Sequence, residues 1–294
     1  MLTVLENEYL AVSVSDFGAE VRSVRDKLTG REYMWSGDPA YWGRVSPVLF
    51  PIVGGVGGSY RYRGTEYKMG QHGFARDNEF TLAEQTLSSL CYRFSENERT
   101  LAVYPFRFTL TIRYRLSGRT LSVEWEVENP SGDRLYFSIG AHPAFSCGNK
   151  EDGPTGISLV FHDMTDPSGK LFYRGLNSAG KALNESLELP TRDGSVTAGE
   201  GFFDRSALIF ENREARAVTL IDADGTKLVT VSTNVPLFAV WSPEGKKAPF
   251  ICIEPWYGRC DAEDFTGDFT EREYTERLEG GETFTGGYSI LFHE

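Results

Sequence analysis

Phe106-Arg107-Phe108-Thr109-Leu110-Thr111-Ile112-Arg113-Tyr114-Arg115-Leu116 alternates without a break. Phe106, Phe108, Leu110, Ile112, Tyr114 and Leu116 share one face, and Arg107, Thr109, Thr111, Arg113 and Arg115 share the other. A period of two over this length is a strand with one buried face. Ser117-Gly118-Arg119 turns the chain, and Leu121, Val123, Trp125 and Val127 return with Ser122, Glu124, Glu126 and Glu128 outside. The pattern predicts an antiparallel hairpin whose arginines meet glutamates on the wet face.

The same grammar extends in both directions. Leu10, Val12 and Val14 alternate with small residues near the start, and Phe238-Ala239-Val240-Trp241 and Thr285 to Phe292 read as strands near the end. Asp224-Gly225 is a hairpin turn signal. Tyr41 to Gly54 is apolar but interrupted by Pro47 and Pro51, which predicts an irregular buried segment. Gly54 to Gly58 reads as a loop, since no helix follows to make it a phosphate cradle. Asp261 to Arg277 is polar, with room for a short helical turn. Nowhere does a 3.6-residue apolar period persist, and no linker or repeat divides the chain. The expectation is an all-β fold, a large antiparallel β-sandwich, in a single domain over 1–294.

Composition narrows the partners. The chain has 294 residues and a formal charge of −12, which argues against nucleic acid or an anionic membrane as partner. Cys91, Cys147, Cys252 and Cys260 show no CxxC pair and no zinc spacing, so free thiols are expected. Met1 to Asn7 lacks the pattern of a signal peptide, and no window has the length of a transmembrane helix. These features predict a cytoplasmic protein.

Two stretches carry titratable residues of one design. Phe250-Ile251-Cys252-Ile253-Glu254-Pro255-Trp256-Tyr257-Gly258 is an apolar strand reaching a carboxylate, a proline and two aromatics. Alternation puts Cys252 and Glu254 on one face and Ile251 and Ile253 on the other. Proline has no N–H for a sheet, so the ladder should stop or open at Pro255. Tyr136-Phe137-Ser138-Ile139-Gly140-Ala141-His142-Pro143-Ala144-Phe145 repeats the arrangement around His142, with small residues beside it. A third candidate, Gln71-His72-Gly73-Phe74-Ala75-Arg76, is a polar loop. His162 and His293 read as structural. His72, His142 and Glu254 show none of the usual metal-ligand spacings, so no metal is expected. A glycosidase-like pair of carboxylates would require Asp204 or Asp261 beside Glu254.

Taken in order, Phe17-Gly18-Ala19, Pro47-Val48-Leu49-Phe50-Pro51-Ile52-Val53-Gly54, His72-Gly73-Phe74-Ala75-Arg76, His142-Pro143-Ala144-Phe145 and Glu254-Pro255-Trp256-Tyr257-Gly258 resemble the aldose 1-epimerase (mutarotase) family, most closely its LacX-like branch. The resemblance implies a galactose mutarotase-like supersandwich, no metal or organic cofactor, and interconversion of the α and β anomers of a hexose. It implies Glu254 as general base, His142 as general acid and His72 as a sugar-binding histidine. Asp204 resembles a sugar-hydroxyl acceptor, although relatives often place that acid nearer the Ala-Leu pair, where this chain has Ser206. Arg76, Arg44 and Trp256 are further substrate contacts. Many LacX-like chains carry arginine where this one has Gly55.

The residue types suit that chemistry. Ring opening needs a base for the anomeric hydroxyl and an acid for the ring oxygen. Glu and His, with ordinary pKa values of about 4.3 and 6.5, fill both roles if a neighbouring carboxylate raises the histidine. A phosphorylated hexose would require Arg44, Arg76 and Arg259 to converge. A sugar-binding protein without turnover is the alternative of another class. The expected partner is a small-molecule sugar, and a homodimer stays open.

Overall fold

The computed structural model describes residues 1–148, 151–166, 168–204 and 207–294. The hairpin read from the sequence is present: Thr109–Ser117 pairs with Thr120–Glu128, with Ser117 opposite Thr120. It starts three residues later than the alternation, because the Phe108 N–H donates to the Glu96 carboxylate instead of a strand. Arg115 reaches Glu124 at 2.8 Å, with both side chains about half exposed. Such a surface pair contributes under about 1 kcal/mol, so the wet face selects register more than it adds stability.

The hairpin is the centre of a nine-stranded antiparallel sheet. Thr283–Phe292 pairs along the whole of Thr120–Glu128, and Lys227–Thr233, Ala217–Ile221, Ser158–His162 and Ser195–Thr197 continue outward. Ser89–Ser95 and Thr81–Gln85 extend the other edge. A second sheet has the order Leu208–Phe210, Leu237–Trp241, Phe250–Tyr257, Ile139–Ala141, Val48–Leu49, and Ala144–Ser146 also pairs with Phe250–Tyr257. The two sheets face each other across one apolar cluster that holds Ile251 and Ile253 from the second sheet and Leu110, Ile112 and Val123 from the first. Phe161 of the large sheet touches Phe210 and Phe238 of the other, at centroid distances of 5.3 and 6.2 Å. A sandwich of large antiparallel sheets is therefore the architecture, as the alternation predicts.

Helix is scarce. Among the described residues the only α-helix is Glu98–Val103, which the apolar pattern does not announce. Its signal is local: Asn97 accepts hydrogen bonds from the Arg99 and Thr100 N–H groups, and Thr100 closes the capping box. A 3₁₀ turn at Phe269–Glu271 falls inside the segment expected to hold one. His162 and His293 are structural: a run of hydrogen bonds of 2.8 Å joins His162, Thr219, Thr230 and His293 across neighbouring strands. No helix among the described residues is long and apolar enough to cross a membrane. All four cysteines are buried and unpaired.

Two strand expectations are corrected. The chain does not leave the sheet at Pro255, because Phe250–Tyr257 runs straight through it and keeps its pairing with Leu237–Trp241. The stretch from Tyr136 to Phe145 is not one strand but Leu135–Phe137, Ile139–Ala141 and Ala144–Ser146, with a gap at His142-Pro143. The register explains both. Gly140 lies opposite Trp256 before the gap and Ala144 opposite Cys252 after it. This is one continuous register, and it puts His142 opposite Glu254. The Ile253 N–H donates to the Pro143 carbonyl at 3.3 Å, while Pro143 has no N–H to return. By alternation Pro255 faces Ala141 in the same way and also gives nothing. Each proline removes one rung, on either side of a cross-strand His–Glu pair.

Gly140 is the small residue that lets Trp256 lie across this seam. A Cβ at Gly140 would stand 2.6 Å from Trp256 Cδ1 and 3.0 Å from the Pro255 carbonyl oxygen. Overpacking of this kind costs about 1–3 kcal/mol. Gly140→Ala is expected to lower the denaturation free energy by that amount in a chemical melt.

Candidate active site

Even-numbered residues of Phe250–Tyr257 point away from the inter-sheet core. Cys252 joins a small cluster with Trp35, Ala144 and Phe250, and Trp256 joins another with Leu49, Ile209 and Ala239. Between them Glu254 is buried at the floor of a cavity of about 340 Å³. His142 Nε2 stands 3.1 Å from Glu254 Oε2. The contact is not aligned as a hydrogen bond, so Glu254 Oε2 is buried without a partner; on the far side of the ring, His142 Nδ1 is also buried without one. Polar atoms left this way in a concave site are costly unless something else meets them.

The imidazole is held by rings. Trp42 lies over it at a centroid distance of 4.7 Å and 30°, Trp241 meets it edge-on at 5.3 Å, and His72 does the same at 5.6 Å. His72 is fixed through its backbone and its ring together. Its N–H donates to the Gly54 carbonyl, and its Nδ1 accepts from the Gly54 N–H. That bond assigns the ring proton to Nε2. His72 holds a left-handed φ of 63° to do this, a conformation that strains a non-glycine residue.

Charge sets the proton positions. Burial pushes the Glu254 carboxyl well above its ordinary range, and the nearby Trp256 indole lowers it only in part. The indole N–H does not reach hydrogen-bond geometry with any acceptor. Burial, then the Arg76 and Arg44 guanidinium groups, lower His142 to about 3. This reverses the expectation that a neighbouring carboxylate would raise the histidine. A carboxyl that burial keeps protonated offers no charge to hold a second proton on the imidazole. The carboxyl therefore keeps its proton to higher pH than an ordinary glutamate, and the imidazole stays neutral to lower pH than an ordinary histidine.

The sequence-derived candidates do not all meet here. His142, Glu254, His72, Arg76 and Trp256 line the cavity. Arg76 donates to the Gln71 carbonyl, and its Nε is buried without a partner. Arg44 is tied to Asp77 at 2.8 Å and acts on the histidines through its field rather than by contact. Asp204 is exposed and does not line the cavity; Ala207 and Ile209 of the following strand do. Ser206 lies outside the described residues. Asp261 bonds Arg272 at 2.6 Å and faces a neighbouring cavity, so Glu254 is the only carboxylate among the described residues lining this one. Arg259 is buried in that neighbouring cavity against Glu211 and Glu273. Arg44 and Arg76 thus meet at Asp77, while Arg259 stands apart from them. Trp42 and Trp241 escaped the sequence reading. Trp241 shares a face with Ala239, but only the register, with Trp241 opposite Cys252, brings it near His142.

Comparison with known proteins bears on the family and the fold. The aldose 1-epimerase family model matches residues 1–261. This chain belongs to the aldose 1-epimerase family. It is 31% identical over 271 residues to the chromosomal LacX protein of Lactococcus lactis subsp. lactis, covering 88% of each chain, and the plasmid LacX protein of that organism matches equally. The structure of a galactose mutarotase related enzyme from Lactobacillus acidophilus aligns with a TM-score of 0.93 at 34% identity, covering 100% of this chain and 98% of that one. A galactose mutarotase-like protein from Lactobacillus casei ATCC 334 aligns with a TM-score of 0.93 at 29% identity over 100% of both chains.

The placement of Arg259 has a measurable consequence. Arg259→Met leaves Glu273 without its partner and Glu211 with Arg174 alone. Breaking a buried pair should cost about 3 kcal/mol in a denaturation experiment.

Proposed function

We propose that this protein catalyses mutarotation of an unphosphorylated hexose, opening and reclosing the ring with Glu254 and His142. The observation that carries the reading is the buried cross-strand His142–Glu254 pair on the floor of a sugar-sized cavity. The proton kept by the Glu254 carboxyl is the one the reaction needs. Hydroxyl groups of a bound sugar give Glu254 hydrogen bonds that favour its charged form, and the proton then resides on His142. Glu254 takes the proton of the anomeric hydroxyl as His142 protonates the ring oxygen, and the bond to the anomeric carbon breaks. The aldehyde turns and recloses with the roles reversed. Proton count is conserved at each stage.

Trp42, Trp241 and Trp256 supply faces and edges for the apolar side of a sugar ring. His72 Nε2–H and Arg76 are placed to donate to its hydroxyls. Arg44 is already paired with Asp77 and Arg259 with Glu211, which favours the free sugar over its phosphate.

Anomer exchange measured by NMR with glucose, galactose and glucose 6-phosphate tests the reading. Glu254→Gln should lose roughly 10²–10⁴-fold in kcat while still binding the sugar. Binding by wild type without acceleration of any of these sugars would point to a carbohydrate-binding protein instead.

The pH profile makes a separate claim. A group lowered to about 3 gains its proton only near that pH. The free protein should therefore show no acid limb near pH 6.5, and kcat/KM should hold as the pH falls from 6.5 to 5. A decline centred near 6.5 would mean that His142 titrates as an ordinary histidine.

A further inference from the structure

One buried nucleophile next to the pair has no part in the proposed reaction. Cys252 precedes Glu254 by two residues on the same strand face, and the register sets it diagonal to His142. One ligand atom each from His142, Cys252 and Glu254 can be chosen so that all three lie within 4.8 Å of one another, and all three residues are buried. Glu254 Oε2, beside His142 Nε2, is buried without a hydrogen-bond partner, and His142 Nδ1 has none either.

We propose that His142, Cys252 and Glu254 form a binding site for a borderline-soft divalent metal, with zinc as the reference ion, and that its occupancy blocks the acid–base pair. The donor set is one nitrogen, one sulfur and one oxygen, which suits zinc and excludes calcium or magnesium as preferred ions. In a tetrahedral zinc site the ligand atoms stand about 3.5 Å apart. The His142–Glu254 separation of 3.1 Å is already close to that, and the widest separation needs a contraction of about 1 Å, a side-chain adjustment. His142 and Glu254 line the cavity, so the fourth position opens onto it, where a water or a sugar hydroxyl completes the shell.

Charge balance supports the site. Coordination releases two protons, one from the thiol and one held by the pair. Thiolate and carboxylate then cancel the two positive charges of the metal, and the imidazole binds neutral. The resulting complex has no net charge. A buried site beside Arg76, Arg44 and His72 tolerates that far better than an unpaired ion. Bonds form from metal to sulfur, nitrogen and oxygen, and no redox change occurs.

The inhibition rests on the proposed mutarotase reading, but the binding does not, and the test separates them. Cobalt(II) is titrated into the full chain after chelator treatment. One equivalent should give tetrahedral d–d bands and a near-ultraviolet thiolate-to-cobalt charge-transfer band, both removed by zinc. Cys252→Ala should abolish the charge-transfer band, whereas Cys91→Ala should leave it. Cys252→Ser replaces the alanine variant if that does not fold. Zinc should inhibit anomer exchange by wild type, and loss of Cys252 should weaken that inhibition about tenfold or more. Absence of the band in wild type, or its persistence in both Cys252 variants, overturns the site. A band in a protein that never accelerates anomer exchange upholds the site and refutes the mutarotase reading alone.

Discussion

The feature on which the site depends is a register that survives an interruption. From Gly140 opposite Trp256 to Ser146 opposite Phe250, the pairing shifts by no residue, although His142-Pro143 breaks the strand between. A slip of one residue would turn His142 to the inter-sheet core and leave Glu254 facing a backbone gap. Rungs on both sides of the break and the full pairing of Phe250–Tyr257 with Leu237–Trp241 on its other edge hold the register. The hydrophobic faces of the strand do the rest, with Ile251 and Ile253 in the main core and Cys252, Glu254 and Trp256 beyond it.

Low polarity is the second constraint. Burial lifts Glu254 and depresses His142, and the two arginines push in the same direction on the histidine. Both shifts favour the neutral form of each group, the carboxyl protonated and the imidazole uncharged, which ordinary pKa values do not foretell. His142 is buried among aromatic rings, and the field of Arg44 reaches it although the guanidinium makes no contact with the ring.

Much of this was legible in the residues. Alternation identified the central hairpin, the opposed faces of the Glu254 strand and the all-β class, since period two is a local property. The order of short motifs led to the family. What the sequence concealed was long-range. Nothing local to Trp42 or Trp241 indicates that they enclose His142, and nothing local to Arg259 names Glu211 as its partner. Asp204 fits a motif by position, but the chain presents Ala207 and Ile209 to the cavity. Pro255 reads as an end because the missing N–H is a local fact. The reason it is tolerated, that the strand stays paired with Leu237–Trp241 on its other edge, is visible only once distant segments are side by side.

The paired prolines have a mechanical consequence. A sheet is normally fastened at every second residue on each edge, and here two neighbouring fastenings are half undone around one cross-strand pair. Opening is cheapest where hydrogen bonds are fewest. The spacing between His142 and Glu254 is therefore held by fewer cross-strand hydrogen bonds than the rungs beside it, with the His142 N–H bonded instead to the Pro47 carbonyl. A guest can wedge them apart while the rungs beyond Gly140 and Ala144 stay closed, so the floor of the cavity yields like a slot cut in a plate, compliant across and rigid along.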